Sequence, residues 1–290
     1  MTRRTLSGII LCAPGGYLLG QPASAKLLTD ESDRKTWAWL LKRYGEKEVI
    51  KKKRNKVELL GMTNKGPYDV AIILDSKGRV VRARFNHGNF ENNEWSKLAG
   101  FRHLRDLTCW HNFRKHKAGE PRPDLDGPHD LSGVGLVSFK MHPLNSFNIG
   151  GSSFNDLGMA VVAQLPNMRK VRAYHTRVTD QGLKTLEGNE WIRFLNVGPQ
   201  FSMRITESAL ESIGKMKALT ELEFNETRVT WGAGLAHLLP LKEKLKRVKL
   251  EKAWIDDACL QRARKAFPKT IFEHSVPEQK NINQMKKMGI

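Results

Sequence analysis

The sequence predicts an α/β solenoid, in which parallel strands each hand over to a short helix. Three observations predict it. The pattern apolar-x-x-apolar-x-apolar recurs seven times from Val80 onward, with starts 24, 40, 24, 24, 27 and 26 residues apart. Self-similarity at a period of this size marks stacked supersecondary units. Within a copy the apolar spacing changes from two, as at Val171 and Ala173, to three, as at Leu183 and Leu186. That change is a strand giving way to helical turns. A Thr-Asp pair, Thr179-Asp180, stands at the changeover, where the first turn of a helix needs a side-chain cap.

Residues 1–25 read as an export signal. Arg3 and Arg4 form a basic start, residues 6–19 a short apolar stretch interrupted by glycine, and Ala23-Ser24-Ala25 a cleavage site. The expected location is therefore periplasmic or extracellular, with Lys26 as the first mature residue. The stretch is too short to span a membrane comfortably. Thr2 to Leu6 resembles a twin-arginine signal, and the choice between that route and the general one stays open.

Residues 26–79 lack the repeat and are expected to cap its first apolar edge, because a terminal repeat cannot cover its own end. Trp37, Leu40, Leu41 and Tyr44 fall on one face of a predicted helix that stops at Gly45. Residues 69–74 and 80–85, joined by Asp75-Ser76-Lys77-Gly78, predict a hairpin. Between them Lys51-Lys52-Lys53-Arg54-Asn55-Lys56 reads as a solvated loop or as a contact for anionic glycan, lipid headgroup or phosphate.

The solenoid is expected over residues 80–274. The clearest unit is Met168-x-x-Val171-x-Ala173-x-x-Thr176-x-Val178-Thr179-Asp180-x-x-Leu183-x-x-Leu186. Related units begin at Val80, Leu104, Leu144, Ile192, Leu219 and Leu245. The unit at Ile192 carries a small insertion before Ile205, and the step of 40 places a larger one at residues 113–130. Residues 275–290 are polar and Lys-rich and are expected to be a flexible tail.

On these motifs the chain resembles leucine-rich-repeat proteins, in the wording abundant among secreted proteins of planctomycete-like bacteria. The closing stretch from Ala266 to Phe272 resembles the short last strand of such arrays. The resemblance covers residues 80–272. It implies strands on a concave side and helices on a convex side, and it says little about the ligand, since one fold hosts many functions.

Formal net charge is +19, and removal of Arg3 and Arg4 with no acid leaves +17. That favours anionic partners. Cys109 and Cys259 survive cleavage and lie in the second and seventh units. Five strand steps of about 4.8 Å separate them, too far for a disulfide.

Residues between the apolar strand positions should point outward and form columns. The first is Arg82, Asp106, Ser146, Lys170, Phe194, Glu221, Arg247; the second Arg84, Thr108, Asn148, Arg172, Asn196, Glu223, Lys249. The third runs Asn86, Trp110, Gly150, Tyr174, Gly198, Asn225, Glu251; the fourth His87, His111, Gly151, His175, Pro199, Glu226, Lys252. Cations beside exposed aromatics suit an anionic ring-bearing ligand. The candidate binding residues are Arg84, Trp110, His111, Lys170, Arg172, Tyr174 and His175, with Gly150 and Gly151 expected to leave a dip between Trp110 and Tyr174. The later glutamates form an acidic step. Three histidines of the fourth column lack the further ligands a metal site needs, and no cofactor is implied.

No G-x-S-x-G, H-E-x-x-H or P-loop motif occurs. The expected function is non-catalytic binding of a protein or an anionic polysaccharide or envelope polymer. Two alternatives stay open: an enzyme using the 113–130 insertion, with His116, Glu120, Asp124, Asp126, His129 and Asp130, or a basic cytoplasmic nucleic-acid binder.

Overall fold

A computed structural model gives the structure of residues 9–11, 26–44, 47–53, 56–63, 66–113 and 127–289. The proposed signal, apart from residues 9–11, and the centre of the 113–130 insertion, with His116, Glu120, Asp124 and Asp126, lie outside the described residues.

The described residues form one open 12-stranded sheet whose strands follow chain order. The first five are antiparallel: β1 (Ile9–Leu11), β2 (Lys47–Lys53), β3 (Lys56–Thr63), β4 (Gly66–Leu74) and β5 (Val80–Asn86). From β5 onward pairing is parallel, through β6 (Asp106–Trp110), β7 (Ser146–Asn148), β8 (Lys170–Arg172), β9 (Phe194–Val197), β10 (Glu221–Phe224), β11 (Arg247–Leu250) and β12 (Ile271–His274). Parallel neighbours need a crossover, and short helices supply most of them. These are α2 (Trp95–Leu98), α3 (Asp156–Ala163), α4 (Asp180–Lys184), α5 (Ala209–Gly214) and α6 (Asp257–Ala266), with 3-10 turns at Val134–Phe139 and Leu235–Leu241. The architecture is a mostly parallel, solenoid-like α/β stack.

One core runs its whole length. Inward strand residues such as Ala83, Leu107, Phe147, Val171, Leu195, Leu222 and Val248 are buried with helix residues such as Met159, Leu183, Leu210 and Leu260. The register follows from that burial: a slip of one residue would turn every apolar side chain outward. It pairs Ala83 with Leu107, Phe147 with Val171 and Leu195 with Leu222.

The Thr-Asp pair does more than cap. Thr179 Oγ accepts the Gln181 amide, starting α4, and donates to Asp156 Oδ2 of the preceding unit at 2.6 Å. Asp156 Oδ1 accepts the Thr179 amide at 2.7 Å. One unit on, Asp180 accepts the Thr206 amide at 2.8 Å and the Thr206 hydroxyl at 2.6 Å. Glu207 repeats the arrangement with Thr230. In three successive units a carboxylate thus holds the turn that leads into the next unit's helix with charge-assisted bonds. A Cβ on Gly182 would sit 2.1 Å from Asp156 Oδ1, so this staple requires glycine there.

The N-terminal region is larger than a helix and a hairpin. Of the basic stretch expected as a loop, Lys51, Lys52 and Lys53 lie in β2 and Lys56 in β3, which pair from Lys47/Met62 to Lys53/Lys56, while Arg54 and Asn55 lie outside the described residues. Alternation at Val57 and Leu59 builds the strand, and the charge density masks it. Helix α1 (Glu31–Tyr44) buries Trp37 and Leu40 against this wing. The expected flexible tail also carries structure: α7 (Gln279–Lys287) buries Met285, and Gln284 donates to the Phe201 carbonyl at 3.0 Å. Cys109 and Cys259 are both free and buried.

Asp33 gives the α1 dock a pH dependence. Its carboxyl is fully buried, and Oδ2 accepts the Val80 amide at 2.8 Å while Oδ1 has no partner. Burial pushes its pKa from 3.8 up to about 6; Asp30 and Asp75 add to the rise, and the Val80 amide and Arg79 oppose it. A raised carboxyl binds its proton more tightly folded than unfolded, so stability falls as pH rises through that window. We predict that wild type loses about 2–3 kcal/mol relative to Asp33→Asn between pH 4 and pH 7. Urea titrations at both pH values check it, and a difference that does not move with pH refutes it.

Candidate functional site

The outward columns occur as the spacing predicts. Arg82, Asp106, Ser146, Lys170, Phe194, Glu221 and Arg247 are in register, as are Arg84, Thr108, Asn148, Arg172, Asn196, Glu223 and Lys249. The fourth column has a conformational property the sequence hides. His87, His111, His175, Glu226 and Lys252 all have φ between 52° and 60°, and Gly151 has 65°. Six of the seven strands of this column thus end in a left-handed residue, Pro199 after β9 being the exception, and the amides of the first five of these residues continue the ladder. The His87 amide donates to the Trp110 carbonyl, His111 to Gly150, Gly151 to Tyr174 and His175 to Gly198.

Trp110, Asn148, Arg172, Tyr174, His175, Asn196, Asn225, Glu226, Glu251 and Lys252 surround a groove of about 430 Å³. Four of the seven candidate residues are in it: Trp110, Arg172, Tyr174 and His175. Arg84 is exposed on β5, outside the groove. Lys170 lies 5.0 Å over the Phe194 ring. His111 turns to the amino-terminal side, where its ring stacks on His87 at 4.9 Å and its Nδ1 meets Asn86 Oδ1 at 2.9 Å. Burial, with His87 adding to it, lowers the His111 pKa.

The dip expected at Gly150 is filled. A Cβ there would lie 2.5 Å from Tyr174 Cζ, so the tyrosine ring lies across the glycine. Gly151 likewise faces the His111 ring: a methyl group on its Cα would meet His111 Cδ2 at 3.0 Å. The glycines make room for these rings instead of leaving a hollow. Burial raises the Tyr174 pKa, against the opposing pull of Arg172, so its hydroxyl stays protonated and able to donate.

The hollow opens further along. Gly198 has no side chain, and after it the chain detours through Gln200 and Phe201, both at φ 56°. His175 reaches past this unit to Glu226, Nε2 to Oε2 at 2.6 Å. The detour is the insertion seen before Ile205. Residues 198–201 are not among those lining the groove, and Gly198 packs on Asn225, whose Cβ would be 3.2 Å from a Cβ placed there.

Most acids of the groove and its flank are committed. Arg247 meets Glu273 at 2.8 Å and Glu223 at 3.5 Å, which raises its pKa; Lys249 meets Glu251 at 2.5 Å; Glu226 holds His175. The expected acidic step is therefore internally compensated. Asn196 donates to Glu223, and Asn225 accepts the Glu251 amide. Among the described residues, Arg172, Lys252 and Tyr174 contact no carboxylate. Asn148 uses its carbonyl oxygen on the Gly150 amide at 3.2 Å, which leaves its amide nitrogen for the groove.

Asn148, Asn196, Asn225, Glu226, Glu251 and Lys252 were not among the candidates, though they stand in the same columns. No spacing signal set them apart from the other members of those columns. The described residues contain no group of three or more side chains placed to hold a metal ion, and no described helix is long and apolar enough to cross a membrane.

Fold and groove together give a mostly parallel, solenoid-like α/β stack with a donor-rich groove along part of its sheet. No protein-family model matches the chain, and no curated protein matches its sequence.

Proposed function

We propose that this chain is an exported leucine-rich-repeat protein that binds, without catalysis, an anionic glycan, envelope polymer or acidic protein in the Trp110–Tyr174 groove. The repeat reading is supported by the unit itself: short parallel strand, left-handed turn, short helix. The export reading rests on residues 1–25. The observation that carries the binding reading is that Arg172, Tyr174 and Asn148, among the described residues, make no hydrogen bond or ion pair to a carboxylate, and that they stand with Lys252 beside a Trp110 ring that is 39% exposed. Such a groove presents more donors than acceptors and rewards a ligand rich in acceptor oxygens.

The test separates this site from general basicity. Binding to an anionic polysaccharide should weaken with salt at any basic surface, so salt dependence alone decides nothing. The variant Trp110→Ala/Tyr174→Ala, whose net charge is unchanged, should lose at least about tenfold in affinity. Replacing Lys51, Lys52 and Lys53 by alanine should change the salt slope far more than the specificity. If only the lysine variant weakens, the groove is not the site.

A further inference from the structure

We infer that the groove reads a singly charged carboxylated sugar, a uronate within a polysaccharide, with Arg172 gripping the carboxylate and Trp110 receiving the ring; this rests on the binding reading above. Arg172 is the first reason. Its guanidinium lies 4.3 Å over the Phe194 ring. Phe194 belongs to an outward column yet is only 5% exposed, so Arg172 and Lys170 together cover it. A guanidinium held over a ring has less freedom to lose on binding, and its N–H edges form a fork that matches the two coplanar oxygens of a carboxylate.

Charge is the second reason. The groove is lined by two cations, Arg172 and Lys252, and two carboxylates, Glu226 and Glu251. Its formal charge is therefore balanced although the chain is strongly basic. With Glu226 held by His175 and Glu251 by Lys249, a densely sulfated or phosphorylated polymer would bring several charges to a lining that has only Arg172 and Lys252 to meet them. One carboxylate per ring brings a single charge to Arg172 and leaves neutral hydroxyls for the rest.

The remaining lining is the third. Asn148, Asn196, Asn225 and the Tyr174 hydroxyl offer neutral hydrogen-bonding groups, and Trp110 is the one large exposed apolar surface of the groove. No apolar socket is present for a peptide side chain, whereas a pyranose needs a flat face and in-plane hydroxyl partners.

The experiment is calorimetric titration of the full mature chain at about 0.15 M salt with polygalacturonate, its methyl ester, dextran sulfate and poly-glutamate. Wild type should bind polygalacturonate at least about tenfold more tightly than the other three. Arg172→Lys, which keeps the charge and much of the cover over Phe194, should lose about tenfold for polygalacturonate and less than about twofold for dextran sulfate. Trp110→Ala should lose about tenfold for polygalacturonate alone. Circular dichroism confirms that each variant is folded. Equal or tighter dextran sulfate binding, with Arg172→Lys indifferent, overturns the carboxylate assignment and leaves the anionic-glycan reading standing. Poly-glutamate binding as tightly, with Trp110→Ala indifferent, overturns the sugar assignment in favour of an acidic protein. Binding to none of the four overturns this inference and the glycan reading together.

Discussion

Leu222→Ala should lower the unfolding free energy by about 2–5 kcal/mol in urea titration. Leu222 is fully buried at the centre of β10, between Leu195 on one side and Val248 on the other. Truncation leaves a cavity bounded by two neighbouring units, and close-packed interiors collapse only partly around such a gap. In a repeat stack each unit is held mainly by its neighbours, so the damage weakens two interfaces at once. Glu223, next along the strand, faces outward but accepts from Asn196 and meets Arg247 at 3.5 Å, so its loss is not neutral and it makes a poor control. Glu221 is 44% exposed and only 3.9 Å from Arg247 at the limit of ion pairing; Glu221→Ala should cost under about 1 kcal/mol. Equal losses at 221 and 222 would mean that the inward and outward faces are exchanged.

Asp180→Ala is expected to cost about 2–3 kcal/mol, a large effect for a side chain outside the apolar core. Its two oxygens accept the Thr206 amide, the Thr206 hydroxyl and the Ser208 hydroxyl at 2.8, 2.6 and 2.9 Å. Removal strands the amide of Thr206 at the start of the next helix and leaves its hydroxyl with Ser208 Oγ alone, at 2.7 Å. A second substitution identifies the mechanism. In Thr206→Ala the carboxylate keeps the amide bond, so the cost should be smaller. Combined, the two losses should fall short of their sum, because they share one contact. A simple additive result in a double-mutant cycle would show that the two units are not joined through this carboxylate.

What was legible in the sequence divides along periodic and aperiodic lines. Strand phase, outward columns and helix starts could be read because each follows from burying one face at a fixed spacing. Arg82, Asp106 and Ser146 align for the same reason that Ala83, Leu107 and Phe147 do. The groove could not be read. It depends on the Tyr174 ring lying over Gly150, which does not recur. Lys252 and Glu226 were visible as members of a column, but nothing in their spacing says that His175 reaches across a whole unit to Glu226. The α7 helix was hidden by composition. Its inward residues, Ile282, Met285 and Met288, are spaced by three within a run of polar residues, and propensity alone is a weak guide to so short a helix. The β2–β3 hairpin was hidden by lysines, which are common at exposed sheet positions and read equally well as loop.

The left-handed turn residues set a limit on how stable this molecule can become while keeping its present surface. His87, His111, His175, Glu226 and Lys252 each occupy backbone that glycine tolerates without a penalty, whereas a side chain there costs about 1–2 kcal/mol. Of the positions in that column, Gly151 alone takes the relaxed choice. Glycine at the others would relieve the backbone, and at His175, Glu226 and Lys252 it would at the same time strip the groove of its histidine, one of its two carboxylates and one of its cations. Thermal endurance and the proposed binding therefore pull in opposite directions on the three of these five positions that line the groove. Engineering for heat resistance should begin at the helix starts and the core, and leave this column alone.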